Sequence, residues 1–197
     1  MIDALVSALL QVGVVLLVAA GIWAVVGRRE PFHRFVGLTP ASWTVVAVAF
    51  LAAAALAFIV TRLPAVHSLA TAEGSVVGNA SRSAAPGELA AILAMRALVQ
   101  TGLTEELVFR GLIGRNLIRR WGFAAGNGVQ AVLFGLLHLL LLLLPSATPA
   151  TVAAWVAATA AAGWVMGWVN HRYAAGSILP GWAMHGGGNL AAYLLMA

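Results

Sequence analysis

Two adjacent carboxylates and a guanidinium, Glu105, Glu106 and Arg110, stand inside an otherwise apolar segment running from about Glu88 to Gly114. Charge at membrane depth costs about 3 kcal/mol per group on insertion scales, and is retained for a pathway, a site or a mutual pairing. On a helix Glu106 and Arg110 are four residues apart, so they share a face and can pair, with the acid on the favourable N-terminal side. Glu105 points about 100° away from Glu106. It is therefore the carboxylate left without a local partner, and the candidate general base or acid.

Two further apolar segments each carry one histidine at depth. His138 follows Phe134-Gly135-Leu136-Leu137, and His185 precedes Gly186-Gly187-Gly188-Asn189. His185 and Asn189, again four apart, would offer an imidazole and an amide to a common point on one helix face. Taken singly, Glu106 with Arg110 reads as a structural ion pair, and either histidine reads as a helix-packing hydrogen-bonder. Taken together, polar groups from three segments fit one shared buried pocket better than three separate packing roles. His33, His67 and His171 lie in or beside loops and carry no assigned role, and Arg96 is expected to snorkel toward the near interface. His185-Gly186-Gly187-Gly188 looks like a lipase oxyanion loop, yet the chain has neither a G-x-S-x-G elbow nor an H-E-x-x-H motif.

The elements that must position these groups are membrane helices. Of 197 residues, 62% are hydrophobic and 9% charged, with a mean hydropathy of +0.96, which excludes a soluble globular domain. A bilayer core of about 30 Å needs roughly 20 helical residues. Such runs read as six spans: about 2–26, 41–60, 88–114, 123–144, 150–169 and 177–197. Pro180-Gly181 and the Gly186–Gly188 run are expected to interrupt the last one. Residues 65–87, rich in Ser, Gly, Ala and Asn, read as an extramembrane connection with at most a single helical turn. Gly163 and Gly167 have the small-xxx-small spacing of close helix packing. The N-terminus has no basic n-region and reads as a retained membrane helix. The fold class is thus all-α, a polytopic helical bundle.

All eleven basic residues are arginine, and the net charge is +5. Apart from Arg96 and Arg110 they fall in short loops and on no amphipathic face, so topology explains them better than nucleic acid does. Arg28, Arg29, Arg34, Arg115, Arg119, Arg120 and Arg172 lie on one side of the six-span arrangement, against Arg62 and Arg82 on the other. The positive-inside rule then puts the arginine-rich loops in the cytoplasm and both termini on the non-cytoplasmic side. The absence of cysteine removes disulfides and thiolate catalysis.

In order and spacing, Glu105-Glu106-Leu107-Val108-Phe109-Arg110, Phe134-Gly135-Leu136-Leu137-His138 and His185-Gly186-Gly187-Gly188-Asn189 resemble the CPBP membrane proteases. That family includes the type II CAAX prenyl endopeptidases and the lysostaphin-resistance-type bacterial proteins, and its pattern is E-E-x-x-x-R, F-x-x-x-H and H-x-x-x-N. The resemblance covers about Glu88 to Ala197; the first two spans match only in being hydrophobic. It implies a single membrane-embedded domain with a four-helix catalytic core over 88–197 and two accessory helices over 1–64. It also implies that Glu105 activates water with help from His138, that His185 and Asn189 hold the oxyanion, and that Glu106, Arg110 and Phe134 support the site.

The activity so implied is intramembrane endopeptidase action without a cofactor. Its partners would be membrane lipids and a peptide or protein substrate, prenylated CAAX-type proteins among the candidates, and its location a bacterial plasma membrane as a multi-pass protein. Glu105, His138 and His185 also form a His₂Glu set of the kind that binds catalytic zinc, so a zinc-dependent version stands as an alternative. A non-catalytic membrane scaffold or immunity protein is the other alternative. A small transporter is disfavoured, since the chain has no internal repeat and no paired broken helices.

Overall fold

The computed structural model describes residues 1–27, 30–85, 87–144 and 147–197. Among these the structure is all helical, with no strand. In chain order come α1 (Ile2–Ile22), continuing into a wide π-helical turn at Trp23–Gly27, α2 (Phe32–Phe35), α3 (Trp43–Val60), α4 (Pro64–Thr71) and α5 (Val76–Ser83). A long helical run follows: α6 (Leu89–Ala94), a π-helical stretch Met95–Leu103, α7 (Thr104–Glu106), a second π-helical stretch Leu107–Gly114, α8 (Arg115–Leu137) and a 3₁₀ segment His138–Leu143. Last are α9 (Pro149–Tyr173) and α10 (Leu179–Met196).

Among the described residues four helical runs are long and apolar enough to cross a membrane: Ile2–Val26, Trp43–Val60, Leu89–Leu143 and Pro149–Tyr173. Their outward faces carry Leu9, Leu17, Val18, Leu51, Leu56 and Ile59, all exposed. So much exposed aliphatic surface is what a lipid-facing exterior requires and what a water-facing one avoids. The chain is a multi-pass integral membrane protein.

The Leu89–Leu143 run is not straight. Inside α8, Gly122 takes φ 78° and ψ 170°, a left-handed φ that glycine adopts without steric cost. The chain folds back there: a Cβ built on Gly126 would lie 2.6 Å from the Ile118 Cα, eight residues earlier. The helix expected to end at Arg115, Arg119 and Arg120 therefore continues through them, and the turn falls at the next glycine. Arg119 Nη1 bonds Glu30 at 2.6 Å and Arg115 Nη1 donates to the Gly176 carbonyl at 3.0 Å, which tie this elbow to the loops before α2 and α10.

Other expectations are corrected. The expected connection instead contains two helices, α4 over Pro64–Thr71 and α5 over Val76–Ser83, whose Val66, Leu69, Val77 and Ala80 are buried. Pro64 occupies the first turn of α4, where its missing N–H is harmless. The last helix is uninterrupted: Pro180 is likewise in the first turn, and the three glycines stay helical because neighbouring elements fill the space beside them. Asn170, His171 and Arg172 belong to α9, not to a loop. Arg28 and Arg29 in the arginine tally, and Pro145-Ser146 in the expected stop after the fourth span, lie outside the described residues.

Close crossing is what the glycines supply. Gly102 faces Gly186, whose Cα lies 3.1 Å from where a Gly102 Cβ would be, and the Ala97 carbonyl lies 2.6 Å from the same point. Replacing Gly102 by alanine should destabilise the protein by about 1–3 kcal/mol through overpacking. Gly128→Ala, where nothing lies within 4 Å, should be neutral or gain up to about 1 kcal/mol. Thermal unfolding of the two variants in detergent checks the contrast; equal midpoints would show that the crossing tolerates a methyl group.

Candidate active site

Glu105 and Glu106 occupy the short α7 between two π-helical stretches. Local chemistry favours the wide turns. Thr101 Oγ1 donates to the Arg96 carbonyl at 3.0 Å and Thr104 Oγ1 to the Val99 carbonyl at 3.2 Å, each five residues back. Gly102 and Gly114 have no Cβ to collide with the carbonyls five residues before them, Ala97 and Phe109. Wide turns of this kind are frequent at functional sites because they re-aim side chains.

Glu106 is fully buried and Arg110 4% exposed, and Arg110 Nη1 lies 2.7 Å from Glu106 Oε1. The Arg110 guanidinium also sits over the Phe134 ring, 4.2 Å from its centroid. Glu106 does more than pair with Arg110, since the same Oε1 faces His185 Nδ1 at 3.3 Å. A carboxylate only accepts, so Nδ1 carries the hydrogen and Nε2 is turned the other way. That nitrogen lies 3.7 Å from Glu105 Oε2. Glu105 is therefore not partnerless, as its helix position alone suggests; it has a histidine from α10 in front of it. Its Oε2 is buried without a hydrogen-bond partner among the described residues.

Phe134 is the common wall. Its ring meets His138 edge-on at 5.2 Å and His185 edge-on at 5.5 Å, and it packs against Phe109 at 5.1 Å. His138, where α8 passes into the 3₁₀ segment, has Nδ1 3.0 Å from the Phe134 carbonyl, which leaves Nε2 as its outward atom. Asn189 Nδ2 donates to Thr101 Oγ1 at 3.2 Å. The expected common aim of His185 and Asn189 is thus divided: His185 faces the two glutamates, and Asn189 faces the helix one turn before them. Arg96 does not snorkel outward. Half-buried, it donates to Gln100 at 3.1 Å, which donates to Ser7 of α1 at 3.0 Å. Glu105, His138 and His185 do not stand as a three-ligand metal group, and no other His, Cys, Asp and Glu set does so among the described residues.

An open cleft of about 820 Å³ lies in front of Glu105. Thr104, Val108, Phe109 and Leu137 line one side, and α1 supplies the other with Ser7, Leu10, Gln11 and Val14. Sequence reasoning missed that role for α1. It also missed Thr101 and three buried amides, Asn127, Gln130 and Asn170. The available signal was amides at positions 127 and 130, three apart in an apolar helix.

A family model described as "Type II CAAX prenyl endopeptidase Rce1-like" matches residues 87–191. No curated protein and no solved structure matches the chain. The matched stretch spans more than half of the chain and contains all three motifs, from Glu105 to Asn189. With Arg110, His138 and His185 around Phe134, both glutamates facing His185, and that match over 87–191, the chain belongs to the Rce1-like family of type II CAAX prenyl endopeptidases, which are membrane proteases.

Proposed function

We propose that this protein is an intramembrane endopeptidase that hydrolyses a peptide bond of a membrane-associated protein or peptide with water activated by Glu105. The observation that carries this reading is the Glu105 carboxylate 3.7 Å from His185 Nε2, at the wall of an open cleft of about 820 Å³. A general base must reach its proton directly or through one water. The unpartnered Oε2 of Glu105 has that freedom, whereas Glu106 is committed to Arg110 and His185.

In this mechanism Glu105 takes a proton from water as the water oxygen bonds to the substrate carbonyl carbon, and His138 helps to hold that water. The tetrahedral oxyanion accepts a hydrogen bond from the Asn189 Nδ2 hydrogen that Thr101 does not take. It accepts another from His185 Nε2–H when the ring carries both hydrogens, with Nδ1–H kept on Glu106. When the C–N bond breaks, the proton held by Glu105 passes to the leaving nitrogen, giving a carboxylate and an amine. Each preorganised donor in such a site contributes about 3 kcal/mol to transition-state stabilisation. Glu106 is a positioning residue, because it fixes the orientation of the His185 ring, and Arg110 and Phe134 hold that arrangement in place. No step requires a metal.

The substrate class follows from the family description, and prenylated CAAX-type chains are its leading member. An apolar cleft between α1 and the Glu105 helix suits a substrate arriving with an attached lipid or from within the bilayer. Six spans, with both termini on the non-cytoplasmic side of a bacterial plasma membrane, are supported by the fold-back at Gly122 and by the arginine bias. Residues 88–197 would form the catalytic core.

A quenched peptide library including prenylated CAAX peptides, offered to detergent-purified protein with and without a chelator, tests the reading. Glu105→Gln should lower kcat by about 10²–10⁴-fold while the protein stays folded. Retained cleavage would remove Glu105 from the chemistry; loss of wild-type cleavage with the chelator alone would replace this mechanism by the zinc-dependent one. Separately, Asn189→Ala should lower kcat by about 10²–10³-fold with little change in KM. A rise in KM at constant kcat would assign Asn189 to ground-state binding.

A further inference from the structure

Arg110 also borders a second pocket, of about 330 Å³, which shares no lining residue with the cleft. Arg110, Asn127, Gln130 and Asn170 line its deep part, and Arg115 and Arg119 its outer part. Buried polar atoms of the lining have no hydrogen-bond partner among the described residues, namely Asn170 Nδ2, Gln130 Oε1 and Arg110 Nε and Nη2. Glu106 Oε2, which is likewise unpartnered, lies beside Asn170 just outside the lining. Their residues are at most 4% exposed. The amide orientations are fixed by the partners that are present. Asn170 Oδ1 accepts from the Gly181 N–H at 2.7 Å, so the free atom is its donor. Gln130 Nε2 donates to Asn127 Oδ1 at 2.9 Å and to the Gly163 carbonyl at 3.1 Å, so the free atom is its acceptor.

The group thus mixes donors with acceptors, with Arg115 Nε a further unpartnered donor at the outer end. Water, which both donates and accepts, satisfies such a mixture where a bare anion or cation satisfies only one kind. Glu106 Oε2 and Asn170 Nδ2 lie 2.5 and 2.6 Å from the position a Gly181 Cβ would occupy, close enough for one water to bridge them. Buried polar groups are almost always paired with protein or ordered water, and at membrane depth the penalty for leaving them bare is higher still. At roughly 30 Å³ per molecule the pocket holds several waters. An anion is the weaker occupant, because the cations at the outer end are engaged: Arg119 and Arg115 both face Glu30, at 2.6 and 3.7 Å.

We infer that this pocket is a hydrated chamber, a water-binding site that links the Arg115 and Arg119 end of the bundle to the back of the Glu106–His185 pair. It is separate from the cleft in front of Glu105. Water reaching Glu106 by this route exchanges with the aqueous phase without passing through the substrate's seat, so the groups that orient His185 stay solvated when the cleft is filled. The inference concerns solvation alone and does not depend on the proteolytic reading.

Water-edited solid-state NMR of the wild-type protein in bilayers tests it directly. Magnetisation transferred from water should build up on the side-chain amides of Gln130 and Asn170 at least about threefold faster than on the backbone amides of Leu93 and Ala97, which are 0% exposed. Build-up at Gln130 and Asn170 as slow as at Leu93 and Ala97 would overturn the chamber. An outcome with Asn170 fast and Gln130 slow would also overturn it, because the two sites would then not share one body of water.

Discussion

The buried Glu106–Arg110 pair is the constraint on which the site depends. Neither charge can be left alone in a low-dielectric interior, and removing one partner from such a pair costs far more than the pair itself contributes. The surroundings are built to accept both. Phe134 presents its face to the guanidinium, Gly163 on α9 leaves room for Arg110 Nη2, and Gly181 on α10 leaves room for Glu106 Oε2. Three helices are thus fixed relative to the 104–114 segment by the need to house one ion pair. The loop before α10 is fixed with them: the Ile178 N–H donates to the Gly37 carbonyl at 2.9 Å and Ser177 Oγ to the Thr39 carbonyl at 2.6 Å.

From that pair the orientation of His185 follows. Glu106 Oε1 serves Arg110 on one side and His185 Nδ1 on the other, and the ring so held directs Nε2 toward Glu105. The two glutamates are neighbours in sequence but have opposite circumstances. Glu106 has Arg110 and His185 on its Oε1 and is fully buried, whereas Glu105 has no hydrogen-bond partner on its Oε2 and a cleft before it. That difference arises from roughly 100° of helical rotation, applied where two wide-turn segments frame a single α turn.

Much of the site was legible because helical spacing is a strong code. Glu106 and Arg110 at i and i+4 do meet, Phe134 and His138 at the same spacing share a face, and Gly163 with Gly167 marks a close crossing. What the spacing could not carry was anything decided between helices. It gave Glu105 no partner, because His185 lies eighty positions away. It aimed Asn189 with His185, because nothing in the local sequence announces Thr101 as a competing acceptor. The connection over 65–87 reads as loop by composition, yet its few apolar residues, Val66, Leu69, Val77 and Ala80, are enough to fold two short helices down onto the bundle. The proline and glycines of α10 read as breaks, since composition does not reveal that the proline falls in the first turn or that Gly186 and Gly187 face Leu98 and Phe50.

The family match begins at residue 87, but the cleft does not belong to the matched stretch alone. Its opposite wall is α1, a helix that fully buries only Ala4, Ala8 and Ala19, packs Val15 and Leu16 on the core and accepts from Gln100 at Ser7, and elsewhere meets lipid or the cleft. Ser7 and Gln11 on that wall are four apart, as are Leu10 and Val14, so a polar and an apolar stripe run side by side along the face that a substrate would meet. The motifs hold the residues proposed for the chemistry, whereas the width and character of the space before Glu105 depend on a helix the motifs do not include. A helix held by so few buried residues can change its outward sequence without disturbing the ion pair, and so it is the part of this architecture freest to adapt to a different substrate.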